Sequence, residues 1–356
     1  MIRILAMAAA VLTAIPGQAR PLVSATDEVR ARALAAKFDG TILIGDLRSG
    51  PTILTMGPNP VAPSAVWRWA SITKQLTGVL VMQEVNRGRL HLDAPVSRYW
   101  PEWRSPGAAR IRIRDLLRHN SGLPQPDESP ADKDGIPSFY GAGAVAPADS
   151  AAGFCAGPLK RNPPAKFDYN NCDTIVLAEI LRRITGKTFE TLARERFARP
   201  LGMRNFGVFR FGQTPPAQVR PTGQDRQFEG KLDLGLNGAS GAAYGTIADL
   251  WRFDRALLSG RLLPSAQREA MWKSERENGF YAFHQWVFPA KLKGCRKPVR
   301  VVERQGLIAG IEHRNYLLPE SGRVLILFGR HRPVDYGDPW EGKGFAFDLL
   351  SAVACR

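Results

Sequence analysis

The sequence predicts an α/β chain of the α+β type, in which strands from the two ends form one layer and a mostly helical segment is inserted between them. Three observations lead there. Hairpin-like apolar runs stand near the start, at 40–45 and 51–55, and strand-like runs return from residue 280 onward. Between them apolar residues recur at helical spacing, most clearly at 71–86 and 175–184. The length of 356 residues suits one large or two ordinary domains. The expected division gives 20–66 and 231–356 to the sheet layer and 67–230 to the helical subdomain.

In chain order, residues 27–37 read as a helix, and 40–45 with 51–55 as a hairpin closed by 46–50. The helix opened by Ser71 carries Ile72, Leu76, Val79, Leu80 and Met82, and Gly88 just past Arg87 stops it. Pro95 and Pro101 break 91–101 into turns. Residues 113–119 form a short amphipathic helix that ends at Asn120-Ser121-Gly122. The stretch 124–164 is rich in Pro, Gly, Ala and Asp with little periodicity, which predicts a long loop or insert, a lid over a site. Phe167 to Asp173 leads into a helix with Ile175, Val176, Leu177, Ile180, Leu181 and Ile184 on one side and Gly186 past its end. A second helix spans 189–197. After a proline-rich crossover and the small-residue loop 237–245, Thr246 or Asp249 starts a helix bearing Leu250, Phe253, Leu257 and Leu258. Strands at 280–288, 299–304, 313–318 and 323–328 precede a closing helix at 345–353. The sequence contains no internal repeat and no low-complexity tract.

Residues 1–19 have a basic start at Arg3, an apolar run from Ile4 to Ile15, and Gly17-Gln18-Ala19, which suits a signal-peptidase site after Ala19. A periplasmic or secreted protein is expected, without stable membrane insertion, because that run is too short for a span. Loss of the leader removes one charge, Arg3, and takes the formal net charge from +16 to 16 − 1 = +15. The excess is arginine scattered over the whole length, with no dense basic run, so nucleic-acid binding is not expected. Anionic cell-envelope polymers are the more natural neighbours of such a surface. The four cysteines fit two disulfides in an oxidising compartment and no common zinc pattern. Of the three pairings, Cys155 with Cys172 and Cys295 with Cys355 are expected: the first closes a loop near Tyr169, the second tethers the last helix.

Ser71 and Lys74 are three apart at a helix start, so the lysine ammonium lies within reach of the serine hydroxyl. Free N–H groups at a helix N-terminus favour an oxyanion, and burial pushes a lysine toward a state in which it accepts a proton. The pattern suits a nucleophile and its base. Alone it also suits a serine cap and a solvated lysine, since Ser-x-x-Lys arises about once by chance in a chain of this length.

Further motifs stand in order around it: Leu90-His91-Leu92-Asp93-Ala94-Pro95-Val96, Ile113 to Leu123, Phe167-Asp168-Tyr169-Asn170-Asn171, Pro200-Leu201-Gly202-Met203, and Gly241 to Trp251. Together with Trp69-Ala70-Ser71-Ile72-Thr73-Lys74, the chain over 38–350 resembles the β-lactamase-related serine hydrolases, which include class C β-lactamases, D,D-peptidases, D-aminopeptidases and certain esterases. The resemblance implies an antiparallel sheet flanked by helices, the β-lactamase/penicillin-binding-protein-like transpeptidase fold. It also implies a covalent acyl-enzyme, with Ser71 as nucleophile, Lys74 as its partner, Tyr169 sharing base and acid duty, and Asn171 orienting lysine and substrate. No metal or organic cofactor is needed. Taken alone, Tyr169 reads as a packed aromatic and Asn171 as a helix cap.

The family's Lys/His-x-Gly strand motif is weakened here. Its best match is Arg304-Gln305-Gly306, placed after a strand, with Leu307 following. The resemblance implies that these four residues meet substrate, that the Leu307 and Ser71 N–H groups form an oxyanion hole, and that Gly306 admits a substrate to the strand edge. Arg304 stays charged at any working pH, so it is expected to grip a substrate carboxylate; the plain alternative is a surface arginine paired with Glu303 or Glu312. His119 matches a structural turn of the family and is not assigned to catalysis. The expected substrates are small molecules or peptides, esters, D-amino-acid peptides or β-lactams, some derived from the cell wall. A non-catalytic envelope-binding or penicillin-binding protein of the same fold is the alternative.

Overall fold

The computed structural model describes residues 24–141, 144–222, 230–330 and 334–355. The expected signal peptide at 1–19 lies outside the described residues.

Among the described residues there are nine strands: β1 (Gly40–Asp46), β2 (Gly50–Met56), β3 (Trp67–Arg68), β4 (Gly207–Val208), β5 (Ala243–Gly245), β6 (Trp286–Ala290), β7 (Val299–Ile308), β8 (Ile311–Leu318) and β9 (Arg323–Gly329). Six of them make one antiparallel sheet in the order β2-β1-β9-β8-β7-β6. The amino-terminal hairpin therefore joins the carboxy-terminal meander edge to edge, through Gly40↔Gly329 to Asp46↔Arg323.

Side chains on a strand alternate between faces, and here both faces are covered. Leu325 and Leu327 of β9 pack with Ile42, Leu54, Val29, Ala33, Phe347 and Leu350, beneath the first helix Ala25–Ala35 and the last helix Phe345–Val353. Val324, Ile326 and Phe328 face the other way, into the large core with Leu43, Trp67, Ile72, Leu76, Leu250 and Trp251. Strand runs that are apolar on both faces follow from this sandwiching.

The helix Thr73–Asn86 is the axis of that second core, with every residue from Thr73 to Glu84 buried. A helix buried all round must satisfy its polar side chains internally. Gln75 does so through Asp254 and Asn315, and Lys74 through the groups described below. Ahead of it, Ala70–Ile72 form a single 3₁₀ turn, so Ser71 stands one turn before the α-helix rather than as its first residue. The helix Asn171–Thr185 starts with the Asn170 side chain accepting from the Cys172 N–H at 2.8 Å and stops at Gly186, whose φ of 70° is left-handed.

Two strand expectations need correction. Residues 280–285 are turns, since Phe280 (φ 61°) and His284 (φ 59°) sit in the left-handed region, and β6 starts only at Trp286. Arg304, Gln305, Gly306 and Leu307 lie inside β7, not after it, because pairing with β8 continues to Ile308↔Ile311 and the chain reverses at Ala309-Gly310. The helix Ser265–Met271 and the small sheet β3-β5-β4 were not foreseen. The stretch 124–164 holds only short turns and a helix, Pro147–Ala152, in its described part. Disulfides link Cys155 to Cys172, tying that stretch to the first turn of Asn171–Thr185, and Cys295 to Cys355, tying the chain after β6 to the end of the last helix.

Candidate active site

A cavity of about 570 Å³ opens between the Ser71 turn, the free part of β7 and the 124–164 stretch. Strand β6 pairs only with Val299–Glu303, which leaves 304–308 without a strand on that side, and this edge borders the cavity. Gly306 makes the fit close: a Cβ there would stand 2.5 Å from the Trp69 carbonyl oxygen. Ala70, with φ 48°, turns the chain sharply just before Ser71.

Ser71 meets two groups. The Lys74 ammonium donates to its Oγ at 3.2 Å, and the Tyr169 hydroxyl donates to the same oxygen at 2.7 Å. Lys74, fully buried, also donates to Asn171 Oδ1 at 2.6 Å and to the Ser240 carbonyl at 2.8 Å, which uses its three donors. Burial lowers the Lys74 pKa, against the opposing pull of Tyr169. For Tyr169, burial raises the phenol, but the charges of Lys74 and Arg304 outweigh it and the net shift is downward. Both shifts favour loss of a proton relative to an ordinary lysine and an ordinary phenol.

Arg304 is 1% exposed and four of its five N–H donors meet protein groups. Nε donates to the Ser71 carbonyl at 2.8 Å, Nη1 to Tyr281 OH at 2.8 Å and to the His284 carbonyl at 3.3 Å, and Nη2 to Tyr169 OH at 2.8 Å. Arg304 lines the cavity, and of its two expected geometries the surface pair is absent among the described residues, since Glu303 and Glu312 pair with Arg314, at 3.5 and 2.9 Å. Gln305 also lines the cavity, and its side chain donates to Glu303 at 2.9 Å. Leu307 stands at the cavity wall, 47% exposed.

Behind Tyr169 is a buried polar layer. The His119 ring meets the phenol ring at 4.8 Å, and its Nδ1 is 2.9 Å from Asp173 Oδ2. Ser121 donates to the other Asp173 oxygen. Burial, with the charges of His284, Lys74 and Arg304, holds the His119 pKa well below the usual imidazole value, and burial raises Asp173 well above the usual carboxylate range.

Sequence reasoning missed Asp127, Tyr140 and Tyr281. Asn171 Nδ2 donates to both Asp127 oxygens, at 3.1 and 3.3 Å, and to Tyr140 OH at 2.9 Å, while Tyr140 donates to Asp127 Oδ1 at 2.8 Å. Asp127 follows directly on Ser121-Gly122-Leu123-Pro124-Gln125-Pro126, and that adjacency was the available signal. Among the described residues no cluster of His, Cys, Asp and Glu is arranged to hold a metal ion.

The β-lactamase family model matches residues 40–285. PbpX of Bacillus subtilis (strain 168), named after penicillin-binding proteins, is 26% identical over 305 residues, which is 82% of this chain and 70% of that protein. Esterase EstB of Burkholderia gladioli is 31% identical over 180 residues, 45% of this chain and 46% of the esterase, so the chain spans under half of that relative. Among solved structures, the D-amino acid amidase of Ochrobactrum anthropi SV3 superposes with a TM-score of 0.76 at 20% identity, covering 92% of this chain and 98% of the amidase. A D-stereospecific amidohydrolase from Streptomyces sp. gives 0.73 at 24%, covering 94% and 99%. At these identities the two structures share the fold with this chain.

Proposed function

The chain belongs to the β-lactamase family of serine hydrolases, and from that premise we propose that it cleaves esters, amides, D-amino-acid peptides or β-lactams through an acyl-enzyme on Ser71. The observation that carries the proposal is the Ser71 hydroxyl held between Lys74 Nζ at 3.2 Å and Tyr169 OH at 2.7 Å. The Tyr169–Lys74 pair takes the Ser71 proton as Oγ bonds to the substrate carbonyl carbon. The Ser71 and Leu307 N–H groups hold the tetrahedral oxyanion. The pair then returns the proton to the leaving alcohol or amine as its bond to carbon breaks. Water repeats the sequence in reverse and frees the acid and the serine. Asn171 keeps Lys74 aimed at Ser71 through its 2.6 Å contact.

Work outside the cytoplasm fits this reading, supported by the two disulfides and the leader-like start of the sequence. The test is turnover of p-nitrophenyl esters, D-alanyl peptides and nitrocefin by the wild type and by Ser71→Ala. Hydrolysis of at least one class, lost in the variant, supports the proposal. Equal rates for both proteins on every class would leave a non-catalytic envelope-binding protein as the better account.

A further inference from the structure

We infer that a second cavity, at the carboxy-terminal end of the helix Ile247–Leu258, binds a phosphate group carried on an apolar molecule. The cavity measures about 340 Å³, and its walls include Arg252, Arg255, Arg261, Ser259, Leu47 and Leu201. Among the described residues no Asp or Glu lines it, and it shares no residue with the Ser71 cavity. The row of the sheet through Gly306 runs by way of His313 and Phe328 to Thr41, whereas Leu47 follows the far end of β1, about 20 Å along the strand.

Arg252 and Arg255 are three apart on the helix and so project from one face, and Arg261 returns to it after the chain turns at Gly260, whose φ is 82°. Each guanidinium has about five N–H donors, and few of them are used. Arg252 Nη1 donates to Asp249 Oδ1 at 3.3 Å and Arg261 Nη2 to the Pro200 carbonyl at 2.8 Å; the Arg255 side chain has no hydrogen-bond or ion-pair partner among the described residues. One carboxylate, Asp249, thus stands against three cations, and its other oxygen accepts from the Thr246 N–H and hydroxyl at 3.1 and 2.8 Å. Nor are the arginines spent on the helix end. The carbonyls of Arg255, Ala256, Leu257 and Leu258, which would repel an anion, already accept from the Ser259, Gly260 and Leu262 N–H groups and from the Arg268 side chain. Three forks match a terminal phosphate, with about three acceptor oxygens, better than a carboxylate with two. Leu47 and Leu201, both half-buried, offer a surface to the carbon skeleton that bears the phosphate. Such a group comes either on a soluble phosphate ester or on a lipid headgroup.

The experiment is titration calorimetry of the full chain with phenyl phosphate and with benzoate at fixed ionic strength. Phenyl phosphate should bind the wild type at least about tenfold more tightly than benzoate. Arg255→Gln together with Arg261→Gln should weaken phenyl phosphate by at least about tenfold, and Arg255→Gln alone, which breaks no contact among the described residues, by at least about threefold. Arg276→Gln with Arg296→Gln removes the same charge from exposed positions outside the cavity, and should leave the affinity within about twofold. Benzoate bound as tightly as phenyl phosphate, no binding of either, or an equal loss in the Arg276 and Arg296 variant overturns the inference, the last because it is the mark of diffuse charge. Sedimentation with phosphatidylcholine vesicles holding about 20% phosphatidic acid separates the two sources. A lipid source carries down the wild type and the Arg276 and Arg296 variant but not the Arg255 and Arg261 variant, and a soluble source leaves all three alike. None of these readouts depends on turnover at Ser71, so the inference stands or falls apart from the acyl-enzyme.

Discussion

The Arg304 guanidinium donates from Nη2 to the Tyr169 hydroxyl at 2.8 Å, and Tyr169 in turn reaches Ser71 Oγ at 2.7 Å. The arginine is therefore a fixed cation behind the phenol. Burial favours the neutral phenol; Lys74 and Arg304 oppose it, and only Arg304 stays charged at any working pH. Arg304→Ala should raise the Tyr169 pKa, move the rising limb of kcat/KM to higher pH, and lower kcat/KM at pH 7 by about 10²-fold. The loss should be similar for neutral and carboxylate-bearing substrates. A pH–rate series on both types checks this, and a loss confined to carboxylate substrates would restore the clamp role expected from sequence.

Gly306→Val should disable the site while leaving most of the fold. The new side chain would start 2.5 Å from the Trp69 carbonyl and 3.5 Å from Ala70 Cβ, so β7 must retreat from the Ser71 turn. A retreat of this kind costs about 1–3 kcal/mol of stability as overpacking. Misplacement near 1 Å costs about 10²-fold in rate. Urea unfolding and steady-state kinetics on the same preparation separate the two effects; a variant with full activity would show that the close strand approach is not needed.

These contacts show what the sequence could and could not disclose. The closeness of Ser71 and Lys74 was legible because three-residue spacing near a helix start fixes it locally, whereas Tyr169 and Asn171 read alone as a packed aromatic and a helix cap and were singled out only through the family resemblance. Arg304 was found but misread. Its place inside β7 was not visible, since 304–307 were expected to follow the strand, and the residues that meet its donors, Tyr281 and His284, lie on a turn that aromatic alternation at 280–288 disguised as a strand. Asp127 was hidden for a different reason: its position depends on a stretch without periodicity, stapled by Cys155–Cys172 and held by contacts to Asn171. The two-residue pairings of β3 and β4 with β5 are too short to leave a pattern.

Asp254 makes stability depend on pH in a direction opposite to most carboxylates. Its Oδ1 accepts from Gln75 and Asn315, both at 3.1 Å, its Oδ2 has no hydrogen-bond partner among the described residues, and burial pushes its pKa up to about 8. In the unfolded chain the group loses its proton near the ordinary value of 3.8. Between these values the folded state holds a proton that the unfolded state has released, so this site's stabilisation is complete below pH 4 and is lost as pH rises to about 8. Asp254→Asn should match the wild type in Tm near pH 4.5 and exceed it by at least about 3 °C at pH 8.5. Thermal melts at both pH values decide the matter: a variant less stable at pH 8.5 would mean that the buried carboxylate is ionised and well paired.

The central claim is that Ser71 is a nucleophile activated by Lys74 and Tyr169. Intact-mass analysis after fluorophosphonate treatment reads it directly, because the reagent bonds an activated serine oxygen to phosphorus with loss of fluoride. Wild type should gain one phosphonyl group on the peptide containing Ser71, Lys74→Ala and Tyr169→Phe should label at least tenfold more slowly, and Ser71→Ala should not label. Wild type that gains no mass, or Ser71→Ala that gains as much as wild type, would contradict the account.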